Sequence, residues 1–181
     1  MVLPIVTYGH PVLRTKGKEI KEITPALKKL AMDMLETMVD AEGVGLAAQQ
    51  VGHAIQLTVI DVQDSEDRPS TMSIDGKAVK LADHMPLILL NPKLELTKET
   101  ESGNEGCLSF PEMNAMITRP AGVSVTALGL DGKEIRFSAT GLLARAVQHE
   151  TDHLNGVLFI DRMSPAKRVS LAGKLKRLQR G

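Results

Sequence analysis

Residues 141–156 read GLLARAVQHETDHLNG, a helix that closes on the turn signal Asn155-Gly156 and carries two histidines four residues apart. At roughly 100° per residue, His149 and His153 lie about 40° apart around the axis, so both imidazoles leave one face and can converge on one ion. Glu150 stands on the adjacent face, near enough to reach water at that ion without ligating it. Two neutral nitrogen ligands, and a carboxylate that takes a proton from acidified water, are what metal-assisted hydrolysis requires. The bland alternative is a helix turn bracketed by one core histidine and one surface histidine.

The third ligand is not downstream. Metzincin proteases carry a further histidine six residues after the second, where this chain has Phe159; thermolysin-type proteases take a later glutamate, and none follows Glu150. Upstream, Cys107 lies in EGCLSFP, residues 105–111, where glycine frees the backbone and proline ends the segment. A thiolate beside two imidazoles leaves one position open, which is a catalytic pattern. A lone cysteine is more often an ordinary buried small hydrophobe. Further upstream, Gly43 and the run Val44 to Gly52 are too small and glycine-rich for an ordinary helix or strand, so a loop is expected there. Its small residues let backbone approach an extended substrate, and Gln50 can present its amide to a developing oxyanion. A tight turn after the preceding helix explains Gly43 equally well.

That preceding helix is predicted from Pro25 to Ala41, with Thr24 as N-cap, Pro25 at the first position, and Leu27, Leu30, Ala31, Met34, Leu35 and Met38 at helical spacing. Strands are predicted at 55–61, 87–90, 93–101, 123–128 and 134–139, the last two joined by Asp131-Gly132. The polar stretch 64–83, with the turn signal Asp75-Gly76, reads as a long surface loop or small hairpin. Ser164-Pro165 begins an amphipathic helix with Val169, Ala172, Leu175 and Leu178 as its apolar stripe. The class is α+β: short, mostly antiparallel strands around a buried central helix carrying the histidines, plus a C-terminal amphipathic helix.

The 181 residues, 43% of them hydrophobic, suffice for one domain with a real core, so residues 1–181 are read as a single catalytic domain. Twenty-two basic residues balance twenty-two acidic ones, which leaves no overall field to draw the molecule to nucleic acid or membrane. Six of the basic residues and no acid fall in 164–181. With Cys107 as the only cysteine, an intramolecular disulfide is excluded. The N-terminus lacks the features of a signal peptide and no apolar run reaches the length of a membrane span, so a cytoplasmic protein with no membrane partner is expected.

Three separated segments, GVGLAAQQ (43–50), EGCLS (105–109) and QHETDHL (148–154), together resemble the peptide deformylase family. The resemblance implies hydrolysis of the N-formyl group from the initiator methionine of nascent polypeptides, with release of formate. It implies that Cys107, His149 and His153 bind the metal and that Glu150 is the general acid/base. The Gln50 side chain and the Leu108 backbone amide would hold the oxyanion, while Val44, Gly45 and Gly106 would pair with the extended peptide. The metal implied is Fe2+, although one sulfur and two nitrogens also suit Zn2+, Ni2+ and Co2+. Leu142 and Ala146, one turn apart, are suitable apolar walls for a methionine side chain, provided that the charged end of Arg145 turns to solvent or to an acid such as Glu105.

Two departures bear on substrate preference: Asn114 stands where some members carry arginine, and the 64–83 loop is longer than in compact relatives. The resemblance further suggests that the basic C-terminal helix docks on the ribosome, in which case removal of the residues after Ser164 spares activity on short peptides. A monomer is expected. Two rivals remain, an HExxH metallopeptidase cutting internal peptide bonds and a non-catalytic domain with a structural metal. The second needs a fourth ligand, and His10, His53 and His84 lie in no motif that suggests one.

Overall fold

The computed structural model describes residues 1–181. Helix α1 (Pro25–Asp40) begins where Thr24 accepts the Leu27 N–H at 3.1 Å, with proline at the first position, where a missing N–H is harmless. Its buried face presents Ala31, Met34 and Met38.

The segment after α1 is not a loop. Gly45–Ala47 form a short strand, β1, and Ala48–Val51 a 3-10 turn. Small residues there do not prevent pairing, and at Gly45 the missing side chain leaves room for Glu150. β1 pairs antiparallel with β2 (Leu57–Ile60). Residues 70–79 form the hairpin β3 (Ser70–Ile74) and β4 (Lys77–Val79), turning on Asp75 and Gly76, both at positive φ. This hairpin is part of the main sheet and not an appendage to it.

The runs at 87–90 and 93–101 do not form two separate strands. β5 (Leu87–Leu96) continues through Pro92 by way of a register shift between Leu90 and Lys93, which spares the ladder the missing proline N–H. Glu101 falls in the next strand, β6 (Thr100–Cys107), which pairs only with β7 (Phe110–Pro120). β8 (Gly122–Leu128) and β9 (Glu134–Thr140) complete a seven-stranded sheet in the order β1-β2-β5-β8-β9-β3-β4, every pair antiparallel.

Helix α2 (Gly141–Leu154) packs on that sheet. Its Leu143 and Val147 are fully buried with Leu89, Val125 and Phe137, each large side chain contributing roughly 1.5–3 kcal/mol of burial. Thr140, at its N-cap, makes no side-chain cap. The 64–83 segment supplies one instead: Pro69 O accepts the Leu142 N–H at 3.2 Å and Ser70 Oγ the Leu143 N–H at 2.8 Å. So close an approach needs Gly141, which sits at φ +69 and whose Cβ would fall 2.1 Å from Pro69 O.

The C-terminal segment is two helices, α3 (Pro165–Ser170) and α4 (Ala172–Arg180). The expected stripe is displaced: Val169 is exposed, and Leu171 and Leu175 are buried with Phe110, Phe159 and Met163. The break at Leu171 turns α4 so that residues 171, 175 and 178 face inward. The segment is therefore a wall of the second hydrophobic cluster and not a detachable tail.

Candidate metal centre

α2 sets the rings of His149 and His153 with centroids 5.1 Å apart. Cys107 ends β6, beside the register shift that starts the turn into β7. Its Sγ lies 3.3 Å from His153 Nε2, and the ligand atoms of Cys107, His149 and His153 all fall within 4.8 Å of one another. A strand end and two positions of a helix thus bring one sulfur and two nitrogens together.

Glu105, two residues before the cysteine, fixes the first imidazole. Its Oε1 accepts the His149 Nδ1–H at 2.9 Å, which leaves Nε2 to face the centre. The same carboxylate accepts from Arg119 Nε at 2.6 Å, Arg119 Nη2 at 2.9 Å and Arg145 Nη1 at 2.7 Å. Arg119 Nη1 continues to Asp152 Oδ2 at 2.9 Å, and Arg162 Nη2 holds the other oxygen of that carboxylate at 2.9 Å. Burial alone would raise the Glu105 pKa, but the bonds from His149 and Arg119 outweigh it and hold the carboxyl well below its ordinary range. Arg145 therefore turns to an acid, as an apolar pocket beside it requires.

Burial lowers the proton affinity of both histidines. His153, with His149 and Arg119 nearby, is held well below its ordinary value. At His149 burial is overcome by Cys107 and Glu105, which push its pKa well up. The donor set, one thiol and two imidazoles with a carboxylate behind the first, fits a mononuclear metal.

Glu150 is buried, and burial raises its pKa to about 7 despite opposition from His149. Its Oε1 has no hydrogen-bond partner, and its Oε2 lies against Gly45, where a Cβ would come within 2.4 Å. Gln50 is held through Oε1, which accepts the Ala47 N–H at 2.9 Å. Its Nε2 donates to Ser109 Oγ at 3.2 Å and stands 3.7 Å from Cys107 Sγ.

A cavity of about 470 Å³ opens over this cluster. It is lined by Gln50, Cys107, Leu108, His149 and Glu150, by Val44, Gly45 and Gly106, and by Leu142 and Ala146 of α2. His153 lies behind them, 1% exposed. Every site residue expected from the sequence is thus gathered around one cavity. Sequence reasoning missed the bonds of Glu105 to His149 and Arg119, and the roles of Arg119 and Asp152 altogether. One signal was available for Arg119: in β7 the buried positions alternate as Met113, Ala115, Ile117, Arg119, and a charge in register with a core face needs a buried partner.

Comparison with known proteins adds relatives over the full length. Residues 2–169 match the family model described as polypeptide deformylase. The chain is 46% identical to the peptide deformylase of Methylacidiphilum infernorum, over 100% of this chain and 95% of the relative. It is 44% identical to that of Opitutus terrae, over 98% and 93%. Among solved structures, the Ehrlichia chaffeensis peptide deformylase superposes with a TM-score of 0.85 at 36% identity, covering 99% of this chain and 98% of that one. For the Thermotoga maritima peptide deformylase the TM-score is 0.77 at 38% identity, covering 91% and 99%.

Proposed function

This chain belongs to the polypeptide deformylase family, a metal-dependent family that removes the N-formyl group from nascent peptides, and from that premise we propose a role for each residue of its site. Cys107, His149 and His153 hold one divalent metal, Glu150 is the general acid/base, and the Gln50 amide with the Leu108 backbone N–H receives the oxyanion. When bound, such an ion supplies Lewis acidity at the formyl carbonyl and makes water a nucleophile at neutral pH.

The protein's own residues do the rest. β1 is an edge strand with one neighbour, so Val44 and Gly45, with Gly106 across the cavity, can pair with an extended peptide. Leu142 and Ala146 receive the methionine side chain. Glu150, pressed against Gly45, takes a proton from the attacking water and delivers it to the peptide nitrogen as the C–N bond breaks, giving formate and a free amine. The Gln50 amide, oriented by Ala47, stabilises charge on the carbonyl oxygen while the carbon is tetrahedral. A formyl carbon carries only hydrogen, so a small space at the metal would accept it and exclude larger acyl groups.

The observation that carries this reading is the convergence of three ligand atoms within 4.8 Å beside a buried, unpartnered carboxylate oxygen. The test is formate release from a formyl-methionyl tripeptide by metal-loaded protein. Glu150→Gln should lower kcat by about 10²–10⁴-fold while leaving the metal content intact. Equal cleavage of the acetylated tripeptide, or an unaffected Glu150→Gln variant, would defeat it.

The native metal in this reading is ferrous iron, supported by the thiolate-imidazole donor set, which also suits zinc, nickel and cobalt. Metal analysis after anaerobic purification decides among them. Residues 1–181 act as one catalytic domain around α2, and the protein works as a cytoplasmic monomer; no helix is long and apolar enough to cross a membrane. Six basic residues in 164–181 support docking on the ribosome, where phosphates would meet them. Because α4 is part of the core, charge reversal at the exposed Lys174, Lys176 and Arg180 is the appropriate probe, with salt-dependent loss of ribosome binding expected.

A further inference from the structure

Two cavities share a wall. The cavity over the metal ligands ends on Arg68, Asn104, Leu142 and Arg145, and the same four residues line a second, more polar cavity of about 770 Å³ beyond it. Three of the four are fixed. Leu142 belongs to α2 and Asn104 to the β6–β7 ladder, while the buried Arg145 guanidinium is held by Glu105, Ile117 O and Glu101 O. Arg68 is different. It is exposed, it enters from the segment between β2 and β3, and one bond keeps its side chain on this wall, Nη2 to Asn104 O at 3.0 Å.

Behind it the polar cavity is lined by hydroxyls, among them Ser70 and Ser102, and by the acids Asp67, Glu99 and Glu101. The first cavity carries acids too, Glu42 and Glu112 among them, but its α2 side offers the apolar Leu142 and Ala146, whereas the space beyond Arg68 offers hydroxyls and acids that would satisfy an ammonium group on a longer stem.

We infer that Arg68 is the removable end wall of the pocket for the first side chain of the substrate, limiting its length and excluding cationic ends. The inference rests on the reading that Leu142 and Ala146 receive that side chain. A methionine side chain carries no charge to set against that wall. A lysine side chain is one atom longer, and its ammonium would be brought up against a guanidinium of the same sign, an arrangement that rejects without any attractive contact. With Arg68 removed, the same ammonium would open onto the cavity lined by Asp67, Glu99, Glu101 and the hydroxyls, and the remaining arginine on that wall, Arg145, is already paired with Glu105.

The test compares metal-loaded wild type, Arg68→Ala and Arg68→Gln on two tripeptides that differ only in beginning with formyl-methionine or formyl-lysine. The quantity is the ratio of kcat/KM values, lysyl over methionyl, which is independent of the fraction of each preparation that is folded. Wild type should favour methionine strongly. In Arg68→Ala the ratio should rise about ten-fold or more, the scale on which one pocket contact discriminates. Arg68→Gln, which keeps a donor for Asn104 O but no charge, should rise by less. A ratio in Arg68→Ala within about three-fold of wild type overturns the role of Arg68. Wild type that releases formate from neither peptide overturns the deformylase reading itself, and the two failures are thereby distinct.

Discussion

Glu105 accepts four hydrogen bonds on one carboxylate, from His149, Arg145 and twice from Arg119, all of them buried residues. Removing one partner of such a cluster leaves uncompensated charge in a low dielectric, which costs more than the pair contributes net. Glu105→Ala should therefore destabilise the fold by about 3–5 kcal/mol in urea unfolding. Because the same carboxylate orients the His149 ring, metal affinity should fall by about 10–100-fold, measured by chelator competition. Metal affinity equal to wild type in the folded fraction would show that His149 is positioned by α2 alone.

At the scale of elements, the helix that carries the histidines is capped from outside itself. Ser70 closes the Leu143 N–H, so Ser70→Ala should cost about 1 kcal/mol, read from the urea midpoint at unchanged slope. No change would mean that water serves the N–H as well. A second tie joins the 3-10 turn Pro11–Arg14 to the 3-10 turn Phe159–Arg162, where Asp161 accepts from Arg14 Nη2 at 3.1 Å and from the Leu158 N–H at 3.0 Å. Burial opposes the Asp161 charge, but those bonds prevail and hold its pKa below the ordinary value. A carboxyl depressed in the folded state stabilises fully above its unfolded value of about 4, and that stability is lost as pH falls through the lower folded value. The melting temperatures of wild type and Asp161→Asn should accordingly differ at pH 7 and converge on acidification below about pH 4. A gap that persists at low pH would assign the effect to packing.

For the whole molecule, three hydrophobic clusters meet around the site, and the C-terminal helices close one of them. That cluster includes Phe110, three residues after Cys107, stacked on Tyr8 with ring centroids 4.9 Å apart. Leu175→Ala should therefore destabilise the protein by about 2–5 kcal/mol although it lies more than twenty residues along the chain from Cys107, His149 and His153. Thermal unfolding measures it; a loss under about 0.5 kcal/mol would mean that α4 is only a surface helix. By the same reasoning truncation after Ser164 should not leave an active core.

The helix that carries both histidines, its boundaries and the α1 cap were legible because each is local: a 3.6-residue period, a Thr-Pro start and an Asn-Gly stop are all written within a few neighbouring residues. The pairing of Cys107 with His149 and His153 was legible only through the three separated motifs, since no spacing rule links residues 42 positions apart. The β6–β7 sheet was missed because TESGNEGC is polar and glycine-bearing, and its pairing is satisfied by β7 and not by its own composition. Likewise, nothing near Ser70 or Arg68 announces that their segment folds back to cap α2 and to wall off the cavity. The sequence alone determined that His149, Glu150 and His153 share one helix, whose period fixes their relative geometry, and its three separated motifs carried the resemblance that names the reaction. Only the tertiary structure decided what orients that chemistry and bounds its substrate, because Glu105, Arg119, Ser70 and Arg68 act across contacts 14 to 73 residues apart. Long-range contacts of this kind depend on which faces of the sheets are buried together.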